Sequence, residues 1–272
     1  MVKKIEVNNQ KRLYELDFLR GIAIFFMMFD HFMYDIFGFL PMFFSDFPKD
    51  GASKNIFNFC VDYWSSDLRI CFRYIIVFVF MGLVGVCSSF SKRNISRGVK
   101  LLGVSIFLTL VTYIASNITN DPSLTITFGT LHCISLSIIL VGVMLKYIKN
   151  RWVYLGVGIM MTLLGAYFEY NVINVSFDSG PLYLIIFKQF IGLIECGGDT
   201  MPFLLSGGQV LIGVFIGLSL YKDKKSLFNY EYKNNLVAFV GRNALIVYFL
   251  HQILIPIILF FILLMLGYSA TF

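Results

Sequence analysis

The stretch that decides the fold is LDFLRGIAIFFMMFDHFMYDIF, residues 16–37, an apolar segment long enough to cross a bilayer. It nevertheless carries five ionisable residues, Asp17, Arg20, Asp30, His31 and Asp35. A charge near the bilayer centre costs about 2.5–3.5 kcal/mol on insertion scales, so such residues usually face a bundle interior or a wet cavity. The stretch therefore predicts a membrane-spanning helix with a functional polar face.

The rest of the chain continues this pattern. Only 14% of the 272 residues are charged, whereas about 25% are in a typical soluble domain. Recurring apolar runs predict an all-α, polytopic transmembrane helix bundle with seven spans, at about 17–38, 70–90, 99–117, 128–147, 152–170, 204–221 and 236–266. The last span is long, and we expect it to be tilted or broken near Pro256. The shorter run 181–195 predicts an interfacial or re-entrant helix.

Basic residues occur at alternate ends of the predicted spans. They are Lys3, Lys4, Lys11 and Arg12, then Lys92, Arg93, Arg97 and Lys100, then Lys146, Lys149 and Arg151, and finally Lys222, Lys224, Lys225 and Lys233. The positive-inside rule then predicts a cytosolic N-terminus, with 1–15 as a basic tail and 39–69 and 171–203 as outer loops. We expect one membrane-embedded domain over residues 1–272, multi-pass in the cell membrane. The net charge of +6 follows from this bias and implies no nucleic-acid partner.

The polar residues of the first span are not scattered around the helix. At 100° per residue, Asp17, Arg20, His31 and Asp35 share an arc of roughly 60°, while Asp30 points about 100° away from His31. This stripe predicts a functional role for His31. A structural alternative is open, because Asp17 and Arg20 suit a helix end and His31 with Asp35 would form a satisfied polar pair.

The other two histidines, His132 and His251, also fall within predicted spans, the fourth and the seventh. The spacing of the three histidines matches no common metal motif, so no metal is expected. For His251, a structural hydrogen-bonding role is an open alternative to a role in the site. The glycines at 207, 208, 213 and 217 favour tight helix packing.

Five segments of the chain form a recognisable ordered set. They are RLYELDFLRGIAIFFMMFDHFMYD (12–35), FRYIIVFVFMGLVGVCSSFS (72–91), FGTLHCISLS (128–137), GGDTMPFLLSGGQVLIGVFIGLSL (197–220) and VGRNALIVYFLHQ (240–252). Together they resemble the heparan-α-glucosaminide N-acetyltransferase catalytic-domain family in its short bacterial form, over roughly residues 10–255. The wider transmembrane acyltransferase superfamily is similar in a second way, since its first span carries Arg, ten residues and a catalytic His. Arg20 and His31 have this spacing.

The resemblance implies an integral-membrane O- or N-acetyltransferase of the cell envelope. The donor would be cytosolic acetyl-CoA, and the acceptor an extracytoplasmic or lipid-linked sugar. Relatives include dimers, so a homodimer is among the implied partners. One departure is that lysosomal members place the proposed active-site histidine in a loop after the first span. This sequence has no histidine between residues 32 and 131.

The resemblance also assigns roles to residues. His31 would act as general base or accept the acetyl group itself, and Asp35 would orient its ring. The candidates for binding the CoA phosphates are Arg20, Arg93 and Arg97. The candidates for the substrate pocket are His132, Asp199, His251 and Asn243.

Two other functions compete with this one. A proton-coupled membrane transporter would use Asp30, His31 and Asp35 as a relay, although no inverted repeat is visible. A non-catalytic envelope partner is the third hypothesis.

Overall fold

The structure, a computed structural model, describes residues 13–49, 51–174, 180–222, 225–227 and 235–270. The fold is all-α, as predicted, and seven of the described helices are long and apolar enough to span a membrane. Most of the predicted basic tail 1–15 lies outside the described residues, as do the basic residues Lys224 and Lys233.

The described helices follow one another along the chain with short connections. They are α1 (Tyr14–Tyr34), α2 (Ala52–Trp64), α3 (Asp67–Phe90), α4 (Asn94–Thr119), α5 (Thr130–Tyr147), α6 (Arg151–Tyr170), α7 (Leu182–Ile191), α8 (Phe203–Leu220), α9 (Leu236–Arg242) and α10 (Ala244–Met265). A π-helical segment, Asp35–Phe39, and a 3-10 turn, Leu40–Met42, extend α1, so that the first span runs Tyr14–Met42. Another 3-10 turn occupies Pro122–Leu124. Two short strands, β1 (Ile173–Asn174) and β2 (Ile194–Glu195), pair in parallel.

The last predicted span needs a correction. The run 236–266 is two helices, α9 and α10, and the break falls at Asn243 rather than near Pro256. Asn243 leaves the helical conformation with ψ at 26°, and its side-chain amide donates to the carbonyl of Phe239. Pro256 lies inside α10, as is tolerated in membrane helices, where neighbouring groups satisfy the freed carbonyl.

The segment 181–195 contains a helix that is too short to cross a bilayer. Helix α7 has 10 residues, which is about 15 Å of rise or half the hydrocarbon thickness. It ends at Gly192, whose φ of 90° favours glycine. The predicted outer loop 39–69 is also partly helical, since it contains all of α2.

The chain divides into two compact units, and the first comprises the described residues up to Val79 together with 235–270. Helix α1 packs closely against α9, because a Cβ added at Gly21 or Gly241 would meet backbone atoms of the other helix. A buried apolar cluster forms where α1 continues past Tyr34. It consists of Met33, Ile36, Leu40, Phe44, Phe47, Cys60 and Leu263.

The second unit comprises the described residues of 80–227. Its helices pack at glycines: Gly208 lies against Gly158 and Thr162, and Gly213 lies against the backbone of Gly82. These contacts confirm that glycines of α8 serve helix packing. Small residues allow two helix backbones to approach closely where lipid offers no hydrophobic driving force.

Candidate active site

The central feature of the first unit is a pair of histidines. His31 on α1 and His251 on α10 lie with Nδ1 and Nε2 2.9 Å apart, and their rings are stacked at 5.0 Å. The Nδ1 of His251 is 3.0 Å from the carbonyl oxygen of Val247. A carbonyl only accepts, so His251 Nδ1 carries the proton and its Nε2 must accept from His31 Nδ1. We call this arrangement the His31–His251 pair.

This pair leaves one ring nitrogen available. With its proton on Nδ1, neutral His31 carries a lone pair on Nε2, and Nε2 has no hydrogen-bond partner among the described residues. His31 is only half-buried, whereas His251 is 3% exposed. A free lone pair on an imidazole whose other nitrogen is held by a hydrogen bond is the arrangement of a general base or a nucleophile.

Asp35 does not take the place that the helical stripe gave it. It is buried at the start of the π-helical segment, and within the described part of the chain no hydrogen bond joins it to His31. A π-turn is wider than an α-turn, so the 100° spacing does not hold from Asp35 onward. His251, rather than Asp35, is the group that orients the His31 ring.

Asp30 forms an ion pair on another side of α1. Its carboxylate accepts from Arg69 Nε at 2.8 Å and from Arg69 Nη2 at 2.5 Å, and it accepts from the Tyr63 hydroxyl at 3.1 Å. The Arg69 guanidinium also lies 3.6 Å from the centre of the Trp64 ring. Burial and the negative charge of Asp30 together raise the pKa of Tyr63 to about 12, so Tyr63 stays a donor. A proton relay through Asp30 gains no support from this arrangement.

Arg20 lies in the second turn of α1. Its Nη1 donates to Asp17 at 3.2 Å and to the carbonyl of Gly241 at 3.3 Å. Eleven residues of helix separate Arg20 from His31, which corresponds to about 16 Å of rise. Arg20 therefore marks the end of α1 opposite to the histidine pair.

In the second unit, Asp199 and His132 build the start of α5. Asp199 accepts from the backbone N–H of Thr130 at 2.7 Å and from its hydroxyl at 3.1 Å. Burial raises the pKa of Asp199, while these hydrogen bonds act in the opposite direction. His132 Nδ1 accepts from the N–H of Gly129, and its Nε2 lies 3.2 Å from the Thr109 hydroxyl. Both ring nitrogens of His132 are therefore occupied.

A basic cavity of about 770 Å³ lies between the start of α4 and the end of α5. Lys92, Arg93 and Lys146 line it, and none of the three makes an ion pair with a described carboxylate. Asn94, also in the lining, donates to the Ser88 carbonyl, but its buried Oδ1 has no described partner. Arg97 is exposed and does not line the cavity.

The comparison with family models decides the identity. Residues 53–253 match the model described as "Heparan-alpha-glucosaminide N-acetyltransferase, catalytic". The chain belongs to this family. Neither the curated proteins nor the solved structures gave a match. The resemblance seen in the sequence is confirmed, and the chain is a membrane protein of an acetyltransferase family.

The family match divides the site residues into two groups. Arg93, Arg97, His132, Asp199, Asn243 and His251 lie within residues 53–253. Arg20, His31 and Asp35 lie before the matched region, on α1 and the π-helical segment that extends it. The role of α1 in this N-acetyltransferase family member therefore depends on the contact between His31 and His251.

Sequence reasoning missed several residues that the structure brings to these sites. It did not pair Asp30 with Arg69, and it did not identify Lys92, Lys146 or Asn94 as cavity residues. A signal for Arg69 was present, because an arginine next to an outer loop departs from the positive-inside pattern. In the described ranges no group of three or more side chains is arranged to hold a metal ion.

Proposed function

We propose that this protein transfers an acetyl group from cytosolic acetyl-CoA to a hydroxyl or amine of an extracytoplasmic or lipid-linked sugar. The observation that supports this most strongly is the free Nε2 lone pair of His31, oriented by His251. Family membership supplies the reaction class, and the alternation of basic loops supports a cell-membrane location with the N-terminus in the cytosol.

The reaction needs one proton acceptor that later becomes a donor. His31 Nε2 takes the proton from the acceptor hydroxyl or amine as the acceptor attacks the thioester carbonyl. The tetrahedral intermediate then expels the CoA thiolate, and the His31 imidazolium protonates that sulfur. His251 stabilises the imidazolium by accepting from Nδ1–H. In the alternative order, Nε2 itself attacks the thioester and passes the acetyl group on, using the same lone pair.

The basic cavity is our proposed site for the charged end of the donor. Phosphates favour sites with several unneutralised cations, and Lys92, Arg93 and Lys146 provide three on one cavity. The buried Oδ1 of Asn94 lacks a donor, and CoA carries amino and amide N–H groups that could supply one. Arg97 and Arg20 would then act at longer range, through charge.

We assign the remaining candidates positioning roles. Asp199 and His132 hold the start of α5, where each already has its hydrogen-bond partners. Asn243 holds the break between α9 and α10, and this break precedes the turn of α10 that presents His251.

The test is acetyl transfer by the purified protein in nanodiscs, measured as release of the CoA thiol in the presence of glucosamine. His31→Ala should lower the rate by about 10²–10⁴-fold, the usual contribution of a general base. The matched control is His132→Gln, which replaces a buried histidine whose ring nitrogens are both occupied. Undiminished turnover in His31→Ala would rule out His31 as the base.

A further inference from the structure

A second polar group lies beside the histidine pair in the first unit and has no part in the mechanism above. We call it the Arg69 cluster, and it consists of Asp30, Tyr63, Trp64 and Arg69. Asp30 directly precedes His31 on α1, and the charges of Asp30 and Arg69 both act on the His31 ring. An intramembrane ion pair is costly, so its position next to the reacting histidine calls for a function.

The Arg69 guanidinium is held rigidly and yet keeps a free edge. Nε and Nη2 are both used by the Asp30 carboxylate, and the flat face lies on Trp64 at 3.6 Å. Nη1 carries two further N–H donors, and no acceptor for them exists among the described residues. The side chain as a whole is 9% exposed, so these donors lie in a nearly enclosed place.

Beside this free edge lies a carboxylate with acceptor capacity left. Each carboxylate oxygen has two lone pairs, and Asp30 Oδ2 uses one of them on Arg69. The Asp30 side chain is 22% exposed, which leaves it within reach of a bound molecule. Donors and acceptors therefore stand side by side, on a pair whose charges cancel.

We propose that the Arg69 cluster binds the sugar acceptor by two neighbouring hydroxyl groups, next to His31. One hydroxyl oxygen accepts from Arg69 Nη1, and the adjacent hydroxyl donates to Asp30 Oδ2. This step deepens the proposed function and rests on it for the purpose of the site, but not for the existence of binding.

Charge explains why an uncharged ligand fits better than a phosphate or a carboxylate. Asp30 already neutralises Arg69, so the cluster offers directed hydrogen bonds without a net positive charge. An anion would also meet the Asp30 carboxylate at close range, and like charges repel. The bidentate geometry further distinguishes arginine from lysine, whose ammonium cannot bind Asp30 at two points and keep a fixed free edge.

The chain offers a direct reporter of binding. It has two tryptophans, Trp64 in the cluster and the exposed Trp152 on α6. In the variant Trp152→Phe, Trp64 is the one fluorescent indole, and it lies against the guanidinium that would bind the ligand. The titration uses the full-length variant in nanodiscs, with no acetyl-CoA present.

The probes are methyl glycosides of glucose, galactose, mannose and glucosamine, the fully O-methylated glucoside, and inorganic phosphate. We expect a saturable change in Trp64 fluorescence with at least one glycoside that has free neighbouring hydroxyls. No saturable change should occur with the O-methylated sugar or with phosphate. Absence of a saturable response to every hydroxylated glycoside would overturn the proposal, as would an equal response to phosphate or to the O-methylated sugar.

A variant separates binding from structure. In the Trp152→Phe background, Arg69→Lys should weaken glycoside binding about tenfold to a hundredfold, through loss of the hydrogen bonds from Nη1. The control is Arg73→Lys, one turn further along α3 on an exposed residue. Equal affinity in Arg69→Lys and its parent would refute the assignment, provided that both proteins melt at similar temperatures. If Arg69→Lys melts early, the comparison of hydroxylated and O-methylated sugars on the parent decides.

The two proposals can fail separately. If the parent protein binds glycosides but does not consume acetyl-CoA, the proposed acetyl transfer is wrong and the sugar site stands. If it transfers acetyl groups but Arg69→Lys leaves the acceptor KM unchanged, the sugar site is wrong and the transferase stands.

Discussion

Replacing His251 with phenylalanine removes the group that orients His31 and keeps a ring of similar size on α10. The His31 Nδ1–H then has no described acceptor, and its proton is free to move to Nε2, which would block the reacting lone pair. The hydrogen bond is between neutral rings in the resting state and becomes charge-assisted when His31 takes a proton. A hydrogen bond to a charged group contributes about 1.5–3 kcal/mol, which corresponds to about 10- to 150-fold in rate.

The assay is release of the CoA thiol at saturating acetyl-CoA and saturating acceptor, measured across pH. The expected result is a lower kcat with little change in the donor KM, because His251 acts on the transition state through His31. In both proteins the rate should fall as pH decreases, since only the unprotonated ring of His31 can accept a proton. The decline in His251→Phe should begin at a different pH, because the partner that interacts with the imidazolium is gone.

A conservative variant is the control for a purely structural effect. His251→Gln can accept from His31 through its carbonyl oxygen and should recover part of the rate. If His251→Phe and wild type have the same kcat and the same pH profile, the reasoning about the pair is refuted. If His251→Gln is no faster than His251→Phe, although both proteins melt at the wild-type temperature, the orienting role is refuted.

Three further predictions concern other parts of the molecule. Gly241→Leu should lower the melting temperature, because a side chain there meets the backbone of α1, and overpacking costs about 1–3 kcal/mol. Asp199→Ala should destabilise the protein by about 1–3 kcal/mol in thermal melting, through loss of two hydrogen bonds at the start of α5, and Asp199→Asn should recover part of this. The pair Arg93→Gln and Lys146→Gln should raise the acetyl-CoA KM about tenfold at low salt, whereas Arg97→Gln, outside the cavity, should raise it less. Equal KM values in these variants would argue against the cavity as the donor site.

The spans could be predicted because their signal is local. Each is a run of apolar residues long enough for the bilayer, and the helices found agree with the predicted spans to within a few residues at most ends. The break at Asn243 was misplaced because proline is a strong breaker in water but a tolerated residue in a membrane helix. The side-chain amide of Asn243 and the close approach of Gly241 to α1 are tertiary features without a local signature.

The site was predictable in part. The helical stripe correctly placed the candidate histidine on a polar face, but the partner of His31 is 220 residues away in sequence. Sequence spacing favoured Asp35, which is one turn away, and could not anticipate the π-helical segment that begins there. Asp30 points away from the stripe, and that direction is the one in which Arg69 lies. Pairings between distant helices depend on packing, which one chain without relatives does not reveal.

The most direct measurement of the central claim uses two methylated histidines at position 31, introduced by an expanded genetic code. Methylation at Nε2 blocks the nitrogen that we assign to the reaction and leaves the Nδ1–H that bonds to His251. Methylation at Nδ1 breaks the pair but leaves Nε2 with its lone pair. We predict that the Nε2-methylated protein folds and does not transfer acetyl groups from acetyl-CoA, and that the Nδ1-methylated protein retains measurable transfer. Full transfer by the Nε2-methylated protein would contradict the account.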